Sequence, residues 1–142
     1  MLSKTCMYGI RAVLYLTSLE QEKSYVHIRQ ISEHLHLSFH FLTKILQNLA
    51  AHNIIDSYRG PNGGVSLARP ARKIKVIELI NAIDGKDSFR GCILALPGCG
   101  EGTPCPLHAY WGETRDRIKS AFENTTLAKL EKQITEGGLR LI

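Results

Sequence analysis

Residues 26–69 read VHIRQISEHLHLSFHFLTKILQNLAAHNIIDSYRGPNGGVSLAR. Ile28, Ile31 and Leu35 recur at helical spacing, and a short break follows at His36–Leu37. Ser38 can cap a new helix, in which Leu42, Ile45, Leu46 and Leu49 fall at i, i+3, i+4 and i+7 and so face a core. The opposite face carries His40, Thr43, Lys44 and Gln47. Ile54 to Tyr58 reads as a strand, and Val65 and Leu67 alternate in a second. The turn-rich hexapeptide RGPNGG joins them, with Arg59 at the tip of the hairpin. Two amphipathic helices alone would suit many domains. Two helices with a tight turn, followed at once by a hairpin, predict a winged helix-turn-helix.

That arrangement suits reading DNA. A recognition helix offers polar side chains to base edges in the major groove. A wing arginine can enter the minor groove, and glycines let the backbone approach a phosphate. The candidate contacts are Ser38, Phe39, His40, Thr43 and Lys44 on the helix, with Arg59, Gly60, Pro61 and Gly63 on the wing. Charge agrees. Residues 1–73 hold nine Lys/Arg against four Asp/Glu, a net of +5, whereas residues 74–142 hold nine of each. An excess confined to the half with the wing suits a polyanionic partner.

Outward from this core, Ser3 to Leu19 has Cys6, Ile10, Val13, Leu14 and Thr17 on one face, with Ser3 as cap. Lys23 and Ser24 fall in a polar connection. The stretch KVIELINAIDG places Val76, Leu79, Ile80 and Ile83 on a helical face, and Gly85 at the position that stops a helix. Further on, HAYWGETRDRIKSAFENTT holds Trp111, Ile118 and Phe122 on a stripe flanked by charges. Such a helix outside a compact domain either folds back or meets a partner, and the expectation is a homodimer. A last helix near Leu127, Leu130 and Ile134 follows a cap at Thr125 or Thr126. The expected fold is mainly α with a small β-hairpin wing, a winged helix-turn-helix domain plus a long C-terminal dimerisation helix. The parts are a DNA-binding domain at 1–85, a cysteine-rich loop at 86–108, and the dimerisation and C-terminal helices at 109–142.

The loop is CILALPGCGEGTPCPLH, residues 92–108, and holds three of the four cysteines. Metal binding, a disulfide, catalysis or plain packing could each explain it. No apolar run reaches the roughly 18 residues of a membrane span. The apolar N-terminus is broken by Arg11 and lacks a small-residue cleavage site, so it reads as a helix. A cytoplasmic protein is expected, which disfavours a disulfide. No nucleophile elbow or phosphate-binding glycine motif supports an enzyme.

Together these stretches resemble the Rrf-type winged helix-turn-helix family of bacterial transcriptional regulators, with its IscR-like and NsrR-like members. The likeness rests on SKTCMYGIRAV, ISEHLHLSFHFLTKILQNL, RGPNGGVSLAR, VIELINAIDG, and three cysteines ahead of a helix beginning HAYW. It implies sequence-specific binding to a double-stranded DNA operator as a dimer, with no membrane and no small-molecule substrate. Where the cysteines are present, it also implies control by an iron–sulfur cluster. Repression in response to iron, redox or nitric-oxide status is the expectation.

The spacing is Cys92-x6-Cys99-x5-Cys105-x2-His108. Structural zinc sites use closer pairs, whereas wide spacing in a Gly/Pro-rich loop suits a cluster. Gly98, Gly100 and Gly102 permit the turns. Three thiolates leave one position. His108 can share a helical face with Cys105, and the family resemblance implies such a histidine on a [2Fe–2S] cluster; [4Fe–4S] is the other expectation. NsrR-like members carry a carboxylate from the partner subunit where this chain has Met7, which cannot replace it. Cys6 is another possible ligand, although its place on the apolar stripe suits a buried, inert thiol. The competing reading is a cluster-free or zinc-binding winged-helix regulator that acts through thiol oxidation or protein partners.

Overall fold

The computed structural model describes residues 2–19, 25–99 and 102–142. The connection at Lys23 and Ser24, and Gly100 in the cysteine loop, lie outside the described residues. Helix α1 spans Lys4–Ser18, and Ser3 caps it by accepting a hydrogen bond from the Cys6 amide at 3.0 Å. The Ser3 hydroxyl and amide also both donate to the Asp84 carboxylate, which ties the start of α1 to the end of a later helix. Gly9 lies where α1 crosses that helix, because a Cβ there would run into the Ile83 side chain.

Helix α2, Ile28–Leu35, ends at His36 in the left-handed conformation, φ 53°. This makes the tight turn into α3, Phe39–Ala51, capped by Ser38. Leu42, Ile45, Leu46 and Leu49 are all buried, as their spacing predicts. They pack with Val13, Leu16, Ile31 and Ile54 in the main core. Burying each large aliphatic side chain contributes roughly 2 kcal/mol.

Strands β1, Ile55–Tyr58, and β2, Gly64–Leu67, pair antiparallel from Ile55 opposite Leu67 to Tyr58 opposite Gly64. Ile54, expected in the strand, instead donates its amide to Leu49 at the end of α3. Val26 and Val65 exchange both backbone hydrogen bonds, at 2.8 and 2.9 Å, so the hairpin is fastened to the start of α2. Gly64 is required there, since any Cβ would collide with the Val26 carbonyl.

Helix α4, Val76–Ile83, is followed by Gly85 at φ 88°. The Glu78 carboxylate accepts from the Lys75 amide and pairs with Arg69 at 2.6 Å, joining the foot of the wing to α4. Helix α5, His108–Asn124, contains no buried residue. Its Phe122 packs beside Val76 and Ile80, with its ring 5.8 Å from that of Phe89. Helix α6, Leu127–Glu136, is capped by Thr126 and returns to the core, with Leu127 fully buried. None of the helices is long and apolar enough to cross a membrane among the described residues.

Candidate nucleic-acid interface and metal centre

The outer face of α3 and the wing enclose a groove of about 700 Å³. Of the sequence-predicted contacts, Phe39, Thr43, Arg59 and Gly63 line it. Ser38, His40 and Lys44 are exposed on α3 beside it, and Gly60 and Pro61 are exposed at the wing tip. Thr43 uses its hydroxyl hydrogen on the Phe39 carbonyl at 2.7 Å, so toward a ligand it can only accept. Gly63 is buried and has a structural part. Its amide closes the turn onto the Gly60 carbonyl at 2.9 Å, and a Cβ would strike the Tyr58 carbonyl.

Other groove residues were not among the predicted contacts. Gln47 and Tyr58 line the groove, as does Arg29 from α2. The Arg29 guanidinium lies over the Phe39 ring at 5.2 Å. Gln47 stood on the polar face of α3 in the sequence. Arg29 gave no signal, because the period of α2 speaks only for its buried side.

The second site is the cysteine loop. The sulfurs of Cys92, Cys99 and Cys105 lie within 4.8 Å of one another, each half-buried. His108 borders this group, with Nδ1 3.5 Å from the Cys99 sulfur. The i, i+3 spacing pairs His108 with Cys105, but across the loop its ring meets Cys99. Successive turns build the loop: Ala95 donates to the Cys92 carbonyl, Cys99 to Leu96 and His108 to Cys105. Gly98 and Gly102 take φ 75° and 117°, which glycine adopts without strain.

The backbone amide of Leu94, helped by those of Leu96 and Ala95, holds the Cys92 thiol below its ordinary pKa. Cys105 dominates the surroundings of Cys99. Its amide favours the thiolate, but its thiol, partial burial and its charge outweigh that and raise Cys99. Lower-pKa thiols are the readier ligands and the readier nucleophiles.

Cys6 stands apart. It is fully buried against Val76 and Ile80, and burial together with the nearby Asp84 charge pushes its thiol up to about 12. Met7, on the exposed side of the same turn, is 40 % accessible.

The loop is bound to α5 at both ends. His108 opens the helix, and one turn later Trp111 Nε1 donates to the Gly91 carbonyl at 2.9 Å. Arg115, a further turn on, reaches the Arg90 carbonyl at 3.4 Å. The sequence placed Trp111 on an apolar stripe; its indole nitrogen instead anchors the residue before Cys92.

A family profile described as "Rrf2: Iron-dependent Transcriptional regulator" matches residues 2–133. The HTH-type transcriptional regulator IscR of Escherichia coli is 32% identical over 123 residues, covering 87% of this chain and 75% of its own. Among solved structures, T. potens IscR superposes with a TM-score of 0.76 at 25% identity, covering 99% of this chain and 92% of that one. CymR, the global cysteine regulator of B. subtilis, also gives 0.76, at 23% identity over 93% and 96%, which speaks for the fold. The mainly helical architecture with its two-stranded wing is therefore that of known winged-helix regulators, and the family is one of regulators rather than enzymes. On sequence, fold and the match across nearly its whole length, the chain belongs to the Rrf2 family of DNA-binding transcriptional regulators.

Proposed function

We propose that this regulator acts as a homodimeric repressor whose hold on operator DNA is set by an iron–sulfur cluster on Cys92, Cys99, Cys105 and His108. The observation that carries the reading is the gathering of three thiols within 4.8 Å, beside an imidazole, on a loop bound at both ends to α5. The donor set fits, since thiolates with one imidazole suit iron–sulfur chemistry. When bound, the cluster would supply a group whose charge and integrity follow iron supply, oxidants or nitric oxide. Cys92 and the Cys99–Cys105 pair would hold it from the loop, and His108 from the first turn of α5. Of the two cluster types, [2Fe–2S] suits the mixed ligands better than [4Fe–4S].

Trp111 and Arg115 link the loop to α5, and the accessible Tyr110 and Ile118 of α5 would meet a second copy. A change in the loop would then shift the spacing of two recognition helices, which must match half-sites about 34 Å apart. In each copy α3 would enter the major groove, with Ser38, His40 and Lys44 toward the bases or phosphates and Arg59 in the minor groove. The protein would work in the cytoplasm, where its thiols stay reduced.

A second reading is favoured by the same closeness of the sulfurs. Three thiols within 4.8 Å also suit one zinc ion or oxidation to a disulfide, and backbone amides hold the Cys92 thiol below its ordinary pKa. One solved neighbour, at 24% identity and a TM-score of 0.74, is Staphylococcus aureus CymR in an oxidised form. Fluorescence anisotropy decides whether cluster and DNA are coupled. The probe is a duplex selected from a randomised library by the protein as purified anaerobically. Iron-loaded and chelator-stripped protein are expected to differ at least tenfold in affinity, and equal affinities would contradict the proposal.

A further inference from the structure

We propose that Arg29 is a DNA-phosphate contact, presented by the ring of Phe39 in the groove that Arg59 also lines. The inference rests on reading the groove between α3 and the wing as the DNA surface. Arg29 lies in the first turn of α2, the first helix of the helix-turn-helix. In this motif that helix crosses the sugar-phosphate backbone while the second enters the major groove. A cation on α2 therefore faces phosphate rather than base edges.

Three observations converge on this residue. Its guanidinium lies 5.2 Å over the ring of Phe39, the first residue of the recognition helix, which is close enough for a cation–π contact. The stack holds a long, exposed side chain in place and leaves the N–H edge free. That edge matches two phosphate oxygens side by side. Next, among the described residues no carboxylate pairs with Arg29, and the lining of the groove contains no acid at all. Arg29 and Arg59 both line the groove and give it a positive sign. Finally, the Val26–Val65 bridge hydrogen-bonds the start of α2, which carries Arg29, to the hairpin that carries Arg59. DNA drawn in by one is already aligned to the other.

The test uses the full chain and two duplexes of equal length. One is selected by the wild-type protein from a randomised library, and the other is an unrelated mixed sequence. Affinities are measured by anisotropy across a salt series. Arg29→Ala is expected to lose about five- to tenfold on both duplexes. Its plot of log K against log salt should be shallower by about 0.9, the counterion release of one phosphate contact. Arg29→Lys should recover most of the slope. Phe39→Leu keeps the charge but frees the side chain, and should cost about threefold. Arg29 is exposed, so an unchanged melting temperature separates lost contact from lost fold. An unaltered slope in Arg29→Ala overturns the proposal, as does a loss confined to the selected duplex, which would mark a base contact. If Arg59→Ala weakens binding while Arg29→Ala does not, the groove reading stands and only Arg29 is removed from it. If the library yields no duplex that the wild-type chain binds, the groove reading falls with it.

Discussion

Trp111 Nε1 donates a hydrogen bond of 2.9 Å to the carbonyl of Gly91, the residue immediately before Cys92. The first cysteine is thereby held against the same helix that begins with His108. Trp111→Phe keeps the ring but removes the donor. An exposed hydrogen bond contributes roughly 1 kcal/mol, so bound iron should be lost about fivefold faster to a chelator, with the helical circular dichroism unchanged. Identical bleaching rates would show that this bond does not position Cys92. Trp111 is the only tryptophan, so its fluorescence reports the loop directly.

His108 lies 3.5 Å from the Cys99 sulfur. Imidazole ligation raises the potential of a cluster relative to thiolates alone. His108→Cys is expected to retain iron and to lower the midpoint potential by on the order of 100 mV. A potential that does not move would remove His108 from the ligand set.

Cys6 should be chemically silent. In metal-free, reduced, folded protein, an alkylating reagent is expected to modify Cys92, Cys99 and Cys105, and Cys6 only after denaturation, as peptide mass spectrometry would read. The raised thiol also has a stability signature. Its folded pKa, about 12, exceeds the ordinary value of 9.0, so the unfolded chain ionises first as pH rises. The stability is complete below pH 9 and drains away as pH climbs toward 12. Relative to Cys6→Ala, the wild type should lose on the order of 1–2 kcal/mol by pH 10. Parallel pH profiles would mean that the thiol titrates normally.

Ile118 is 39 % accessible on a helix with no fully buried residue. If α5 meets a second copy, Ile118→Glu introduces a charge into that contact. Sedimentation should then show a monomer at concentrations where the wild type is dimeric, together with weakened operator binding. A variant that remains dimeric would move the interface elsewhere.

The winged domain was legible because its signals are local. Ser3, Ser38 and Thr126 each cap the helix they precede, and Leu42, Ile45, Leu46 and Leu49 point inward as their period requires. The cysteine group was legible as a group, since a glycine- and proline-rich loop of that length can return on itself. Partners across the chain were not. The Val26–Val65 bridge is one residue pair, too short to leave a pattern. The contact of His108 with Cys99 depends on the path of the loop, not on spacing along it. Trp111 looked apolar because periodicity weighs its ring and ignores its nitrogen, and the Arg29 guanidinium meets the Phe39 ring only once α2 and α3 have packed.

The central claim, a DNA reader governed by a cluster on its cysteine loop, is tested most directly by purifying the intact protein without oxygen. Its visible spectrum, iron, acid-labile sulfide and zinc are then measured together. The account predicts brown protein with iron and sulfide in matching amounts, and colour lost in Cys92→Ser, Cys99→Ser and Cys105→Ser but kept in Cys6→Ser. Colourless protein holding one zinc per chain, or no metal at all, would contradict it.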